Sequence, residues 1–128
     1  MTKKSREKLA DYLEGFSALV YDAITPIGVV LAGSKTQKDA LAELKKDGYT
    51  EVMDRNLERK LDGIANRFSA GEKIVLNLGE KLPDRVFGFF LDIARGKIPG
   101  AKVLFVMPAT LYDSYAGFDR IISSVCRL

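Results

Sequence analysis

The apolar positions of the chain change spacing several times, and each change is marked by Gly, Pro, Asp or Asn. Residues 9–20 carry one apolar stripe at helical spacing, formed by Leu9, Tyr12, Leu13, Phe16, Leu19 and Val20. This stripe predicts an amphipathic N-terminal helix. A short continuous apolar run at 27–32 predicts a strand that is covered on both faces, because no polar side of it is left to face water.

The same changes of spacing predict the remaining elements. We expect helices over residues 36–46, 56–68, 84–94 and 111–125, and further strands over 49–53, 73–78 and 102–107. Strands that alternate with helices of roughly 10–15 residues are typical of α/β domains with a largely parallel sheet. The sequence therefore predicts an α/β fold: one compact domain, residues 25–128, with about four mostly parallel strands, preceded by the amphipathic helix in residues 1–24.

The predicted helix over 84–94 is apolar around an unusually large part of its surface. Its apolar side chains are Val86, Phe87, Phe89, Phe90, Leu91 and Ile93. Such a helix is either buried between layers of its own chain or covered in part by a second chain. We therefore keep two interpretations open, ordinary core packing and a homodimer formed through Phe87, Phe89 and Phe90.

Composition excludes several kinds of chemistry. The chain has 128 residues, no His and a single Cys, so neither a zinc site of Cys and His nor a Ser-His-Asp or Cys-His catalytic arrangement can form. We predict no catalytic residue, no metal site and no cofactor, and expect a non-enzymatic function. One Cys, no signal peptide and no apolar run of about 18 residues indicate a cytoplasmic protein.

The excess positive charge lies at the start of the chain. The net charge is +3, and residues 1–8 account for it with four basic side chains against Glu7: Lys3, Lys4, Arg6 and Lys8. The rest of the chain is formally neutral and has no basic stripe, so we do not expect nucleic-acid binding. A basic start followed by Leu9, Leu13 and Phe16 indicates a helix that binds a membrane surface or a partner, or one that packs on the core with a solvated tip.

One short motif suggests a ligand. Gly33, Ser34, Lys35 and Thr36 follow the first predicted strand and resemble the phosphate-binding loop G-x-x-x-x-G-K-[ST]. The match fails by one residue, because Ser34 separates the glycine from the lysine and the earlier Gly28 lies within the strand. A helix start beside Lys and Thr still binds anions weakly. These four residues predict a weak phosphate or nucleotide site, with an ordinary strand-to-helix turn as the alternative.

A set of features between residues 49 and 108 matches a known pattern: a strand at 51–53, a turn at 55–56, Ile64-Ala65, the turn Ala70-Gly71, Asn77-Leu78, and a last strand ending at Pro108. This pattern resembles the core domain of the SepF family of bacterial cell-division proteins. The chain differs from that family in its extra strand and helix over 27–46, where the family has a linker.

The resemblance implies a dimer held at the inner face of the cytoplasmic membrane by an N-terminal amphipathic helix, with the C-terminal tail of the tubulin-like division protein FtsZ as its protein partner. Residues 3–20 would then be the membrane anchor, and the helix over 84–94 would lie at the self-association surface. The first hypothesis is accordingly a non-enzymatic interaction or scaffold module. The alternative is a small ligand-binding or regulatory domain with a phosphate or nucleotide site at 33–36.

Overall fold

The computed structural model of the chain describes residues 1–17, 27–53, 73–78, 84–95, 103–115 and 124–128, together with residues 63 and 122. The helices whose bounds it describes are α1 (Lys3–Ser17), α2 (Ser34–Lys46), α3 (Asp84–Ala94) and α4 (Ala109–Asp113). Its strands are β1 (Ile27–Leu31), β2 (Thr50–Met53), β3 (Ile74–Asn77), β4 (Val103–Met107) and β5 (Ser124–Arg127).

The five strands form one parallel sheet in the order β2-β3-β4-β1-β5. The first strand of the chain is thus an inner strand, hydrogen-bonded to β4 on one side and to β5 on the other. Helices alternate with these strands along the chain. The predicted α/β fold with a mostly parallel sheet is confirmed, with five described strands where the sequence indicated about four.

Helices cover both faces of the sheet. Each inner strand places alternate side chains on opposite faces, and these side chains pack against different helices. In β4, Val103, Phe105 and Met107 belong to one buried cluster with residues of α3 and α4, whereas Leu104 and Val106 belong to a second cluster with residues of α1 and α2. Both faces of β1 and β4 are therefore dry. This explains why their sequences are continuous apolar runs.

The N-terminal helix α1 packs directly against the sheet. Leu9, Leu13 and Phe16 are buried in the cluster they share with α2 and the sheet. Tyr12 lies beside them, and its hydroxyl shares a hydrogen bond of 2.8 Å with Ser124 Oγ in β5. Burial raises the pKa of Tyr12 to about 12. The Tyr12 hydroxyl lies above Gly28 of β1, where a Cβ would come within 2.5 Å of the Oη atom, so α1 needs glycine at that position.

The apolar helix α3 turns its large side chains inward. Val86, Phe89 and Ile93 are buried against the sheet, and the ring of Phe87 stacks on Tyr115 with 5.8 Å between the ring centroids. The side chain of Phe90 lies outside the described residues. Of the helices that the structure describes, none combines the length and apolarity needed to cross a membrane.

The prediction of a single C-terminal helix over 111–125 is wrong. The described helix there ends at Asp113, and Ser124–Arg127 form the edge strand β5. In β5 the buried Cys126 is flanked by the half-buried Val125 and the exposed Arg127. An apolar residue at 125 fits a helical spacing from 111 as well as it fits such a strand. Of the predicted helix over 56–68, the structure describes Gly63 alone, and that residue is helical and exposed.

Candidate ligand-binding site

The order of the strands creates a crevice at one edge of the sheet. After β1 the chain enters α2, whose buried residues face one side of the sheet, and after the neighbouring β4 it enters α4, whose buried Leu111 faces the other side. The chain segments that leave these two adjacent strands therefore diverge. In open α/β sheets, such a switch point outside the carboxyl ends of the strands is where ligands bind.

A cavity of about 520 Å³ occupies this switch point. Its lining comes from the ends of β1, β4 and β5 and the starts of the two helices: Leu31, Ala32, Gly33, Pro108, Ala109, Thr110, Arg127 and Leu128. We call it the switch-point cavity. Its walls are mainly apolar, with Arg127 as the one charged side chain and Thr110 as the one hydroxyl among the described lining residues.

Backbone hydrogen bonds hold the rim of the cavity in place. The sheet continues one step beyond the strands, because Ala32 N–H donates to the carbonyl of Met107 at 3.1 Å and Leu128 N–H donates to that of Leu31 at 2.9 Å. Gly33 then caps α2 with extended backbone angles of φ −67° and ψ 164°. The rim is thus a direct extension of the rigid sheet.

The start of α2 presents free donors at this rim. The carbonyl of Gly33 accepts the N–H groups of Thr36 and Gln37, both at 2.9 Å. No hydrogen bond within the described part of the chain takes the N–H groups of Gly33, Ser34 or Lys35. These donors lie at the positive end of a helix of 13 residues, which attracts negative charge.

Arg127 contributes the positive charge on the opposite wall. Its guanidinium carbon lies 5.7 Å from the ring centroid of Tyr112, and its Nη2 atom lies 3.7 Å from Asp113 Oδ1. Both partners belong to α4 or its last turn, and the arginine and aspartate side chains are more than half exposed. An exposed ion pair of this kind is weak, so Arg127 can turn to a ligand anion at little cost.

The structure separates the four residues of the predicted phosphate motif. Gly33 lines the switch-point cavity, whereas Ser34 lines a different groove on the flank of α2. Lys35 and Thr36 lie in the first turn of α2, exposed and half-buried respectively. Of the motif, Gly33 alone therefore lines the cavity, and the lysine side chain does not.

The residues of the predicted membrane or partner helix divide into two sets. Leu9, Leu13 and Phe16 are buried against the sheet, so they could reach a lipid surface only if α1 left its place. Four basic side chains on the other faces of α1 are exposed: Lys3, Lys4, Arg6 and Lys8. Of the predicted self-association residues, Phe89 is a core residue and Phe87 packs against that core.

Sequence reasoning missed Arg127 and Thr110. Arg127 could not be identified because it directly follows the predicted helix over 111–125, and a helix at that position gives no reason to expect Arg127 beside Gly33. Thr110 carried one signal, since it lies two residues after Pro108, at the end of the predicted strand over 102–107.

The fold and the cavity define a class: a three-layer α/β domain with a parallel sheet and a ligand-sized cavity at its switch point. No protein-family model matches the chain, and no match was found among curated proteins or solved structures. The resemblance to the SepF family stays a prediction.

Proposed function

We propose that this protein is a small-molecule-binding domain that takes a phosphate-bearing ligand in the switch-point cavity. The observation that supports the proposal is the position of a cavity of about 520 Å³ at the point where β1 and β4 diverge. That volume falls within the range of roughly 300–1,000 Å³ that is usual for small-molecule sites. Because folds alone do not determine function, the chemistry of the lining must also fit.

The polar groups of the cavity suit a phosphate. One of its oxygens would accept a hydrogen bond from the N–H group of Gly33, aided by the positive end of α2. Arg127 can bind a second oxygen, because a guanidinium donates through two parallel N–H groups. Leu31 and Pro108 then leave an apolar space for the organic part of the ligand.

The same lining argues for binding without catalysis. The described side chains around the cavity include no carboxylate, lysine, tyrosine or cysteine. General acid–base catalysis uses such groups within hydrogen-bond reach of the substrate, and neither Arg127 nor Thr110 replaces them. We therefore favour a ligand-binding or regulatory domain over an enzyme.

The direct test is a thermal-unfolding screen with inorganic phosphate, nucleoside mono-, di- and triphosphates, and phosphorylated metabolites. A ligand at 100 times its Kd stabilises the folded state by about 2.7 kcal/mol. With about 2.1 cal/mol/K of unfolding entropy per residue, that free energy raises Tm by roughly 10 °C for a chain of this size. If none of these compounds shifts Tm, the proposal is wrong.

Gly33→Leu tests whether a compound that raises Tm binds in the switch-point cavity. A Cβ at Gly33 meets no atom within 4 Å, and its backbone angles suit any residue, so the leucine can enter the cavity while the fold is kept. We expect Gly33→Leu to lose the ligand-induced shift. Gly15→Leu is the matched control, since Gly15 in α1 also has open space around its Cβ position and does not line the cavity.

One observation favours a second function. The exposed Lys3, Lys4, Arg6 and Lys8 give the start of α1 a basic surface even though its apolar stripe is buried. We propose as the alternative an interaction module that uses this surface to contact an anionic membrane or an acidic partner, as the SepF resemblance implies. Vesicle binding that depends on these basic residues, in a protein that still folds, would support it.

A further inference from the structure

A second cavity lies on the flank of α2, away from the strands that line the first. It has a volume of about 540 Å³ and lies between α2 and the strands β2 and β3. We call it the α2 groove, and define it by its polar residues Ser34, Gln37, Lys38, Lys45, Glu51 and Asn77. It shares no lining residue with the switch-point cavity.

A fixed carboxylate lies in the α2 groove. The side chain of Glu51 in β2 is only 14% exposed. One of its oxygens, Oε1, lies 2.9 Å from Lys45 Nζ, and the other, Oε2, accepts a hydrogen bond of 3.0 Å from Asn77 Nδ2. Burial by itself would raise the pKa of Glu51, but the hydrogen bonds from Lys45 and Asn77 outweigh it and lower the pKa.

The hydrogen bond to Glu51 orients the amide of Asn77. A carboxylate accepts hydrogen bonds and repels a carbonyl oxygen, so the NH₂ group of Asn77 must face it. The Oδ1 atom is left as an acceptor to which no described residue donates a hydrogen bond. This free acceptor matches a ligand that donates a hydrogen bond, such as a hydroxyl group.

Positive charge is in excess along the groove. Lys45 is neutralised by Glu51, whereas Lys38, one turn into α2, is exposed and makes no ion pair with any residue that the structure describes. With Lys38, Lys45 and Glu51 together, the groove carries a formal charge of +1. The charge favours an anion, and Leu41 supplies an apolar contact between the two polar ends.

We propose that the α2 groove is a second binding site, for a small organic anion that carries hydroxyl groups, of the sugar-phosphate class. Lys38 binds the anionic group, and Asn77 Oδ1 accepts a hydrogen bond from a hydroxyl. Glu51 is the positioning residue, because it fixes the orientation of Asn77. This site is independent of the proposed function, which uses Gly33 and Arg127.

The experiment uses the full chain with Gly33→Leu, so that the switch-point cavity is filled. We expect ribose 5-phosphate to bind this variant in isothermal titration, and inorganic phosphate to bind it at least tenfold more weakly because it has no sugar hydroxyl. The side-chain NH₂ resonances of Asn77 should shift during the titration. An absence of binding, or equal affinity for the two compounds, overturns the proposal.

Two lysine substitutions on α2 locate the site. Lys38→Gln, added to Gly33→Leu, should weaken ribose 5-phosphate binding by at least about tenfold, since a hydrogen bond to a charged group is lost. Lys46→Gln is the matched control, because Lys46 is exposed on the same helix, pairs with Glu43 and lies outside the groove. Equal effects of the two substitutions would show that ribose 5-phosphate does not bind in the α2 groove.

The outcomes separate the two proposals. Loss of all phosphate-compound binding in Gly33→Leu supports the switch-point cavity and overturns the groove. Ribose 5-phosphate binding that survives Gly33→Leu and is lost with Lys38→Gln supports the groove. The proposed function is overturned separately, if every compound that raises Tm of the wild type raises Tm of Gly33→Leu equally. Circular dichroism of each variant confirms that the change in binding occurs in a folded protein.

Discussion

Gly28→Ala tests whether α1 is an integral part of the core. A methyl group at this position in β1 would lie 2.5 Å from Tyr12 Oη, 2.8 Å from Leu104 Cδ2 and 2.9 Å from Phe16 Cε2. Carbon atoms do not approach other heavy atoms this closely, so the buried side chains of Tyr12, Leu104 and Phe16 must shift or α1 must move away from the sheet. The substitution should therefore destabilise the folded state, although Ala is the better strand residue.

The expected loss can be estimated from the crowding. An extra methyl group in a packed core costs typically about 1–3 kcal/mol. At about 2.1 cal/mol/K of unfolding entropy per residue, the chain gains roughly 0.27 kcal/mol/K on unfolding, so Tm should fall by about 4–11 °C. Because the new methyl group would make three close contacts, two with α1 and one with β4, we expect a decrease in Tm in the upper half of that range.

The assay is thermal and urea unfolding, followed by circular dichroism. Gly15→Ala serves as the control, because Gly15 lies in α1 with open space around its Cβ position. There the same change should stabilise the protein by about 0.5–1 kcal/mol, since glycine is a poor helix residue. The two substitutions are thus expected to have opposite signs.

A double variant identifies the contact. Tyr12→Phe removes the atom nearest to the new methyl group, so the double variant should be less destabilised than the sum of the two single variants. If Gly28→Ala is as stable as the wild type, α1 does not pack over β1 as described. Leu9, Leu13 and Phe16 would then be available to a membrane, and the interaction-module hypothesis would gain support.

Three further predictions concern other parts of the molecule. Glu51 has a pKa below its ordinary value in the folded state, so it contributes stability above pH 4.5 that is lost as the pH falls through the folded pKa. In Glu51→Gln, the free energy of unfolding should therefore fall less steeply at acid pH than in the wild type. An unchanged pH dependence would contradict the Lys45–Glu51–Asn77 contacts. Cys126 is buried and burial raises its pKa, so a thiol reagent should modify it far more slowly in the native protein than in urea, and rapid native labelling would contradict the position of β5. Light scattering with and without anionic vesicles tests the membrane-bound dimer. A mass near 14.2 kDa and no vesicle binding would exclude such a dimer. A dimer that binds vesicles, and loses this binding when Lys3 and Lys4 are replaced by Gln, would support it.

The strands and the second helix were predictable because their local pattern and their environment agree. β1, β3 and β4 are short apolar runs, and both faces of β1 and β4 are covered by helices. In α2, Ala40, Leu41 and Leu44 form the apolar side indicated by the sequence, and all three are buried. The spacing of apolar residues indicates whether one or both faces of an element are buried, and for these elements that was sufficient to predict the helix or strand.

The site was only half predictable, because it depends on pairing between distant residues. The sequence indicated Gly33 from its position after an apolar strand. Arg127 reaches the same cavity only because β5 pairs with β1, with Leu31 opposite Arg127. Short apolar runs do not specify their neighbours, so the position of β5 and the divergence of β1 from β4 could not be derived from local pattern.

The apolar stripe of α1 illustrates the same limit. A stripe of Leu and Phe beside basic residues has the same spacing whether it faces lipid or a sheet. What distinguishes the two is Gly28, a residue outside the helix, whose missing side chain makes room for Tyr12. Gly28 could be read from the sequence, but its role in making room for α1 became clear only from the position of that helix on the sheet.

The inner position of β1 also constrains the order in which the chain can fold. Ile27 pairs with Val103, which is synthesised 76 residues later, and the β5 partner of β1 comes later still. At ribosomal rates of about 5–20 residues per second, this interval lasts roughly 4–15 s. During that time the run Ile27–Leu31 has none of its strand partners, and such distant pairing also slows folding. Newly made chains should therefore depend on chaperones that shield this segment more than a protein built from adjacent strand pairs would.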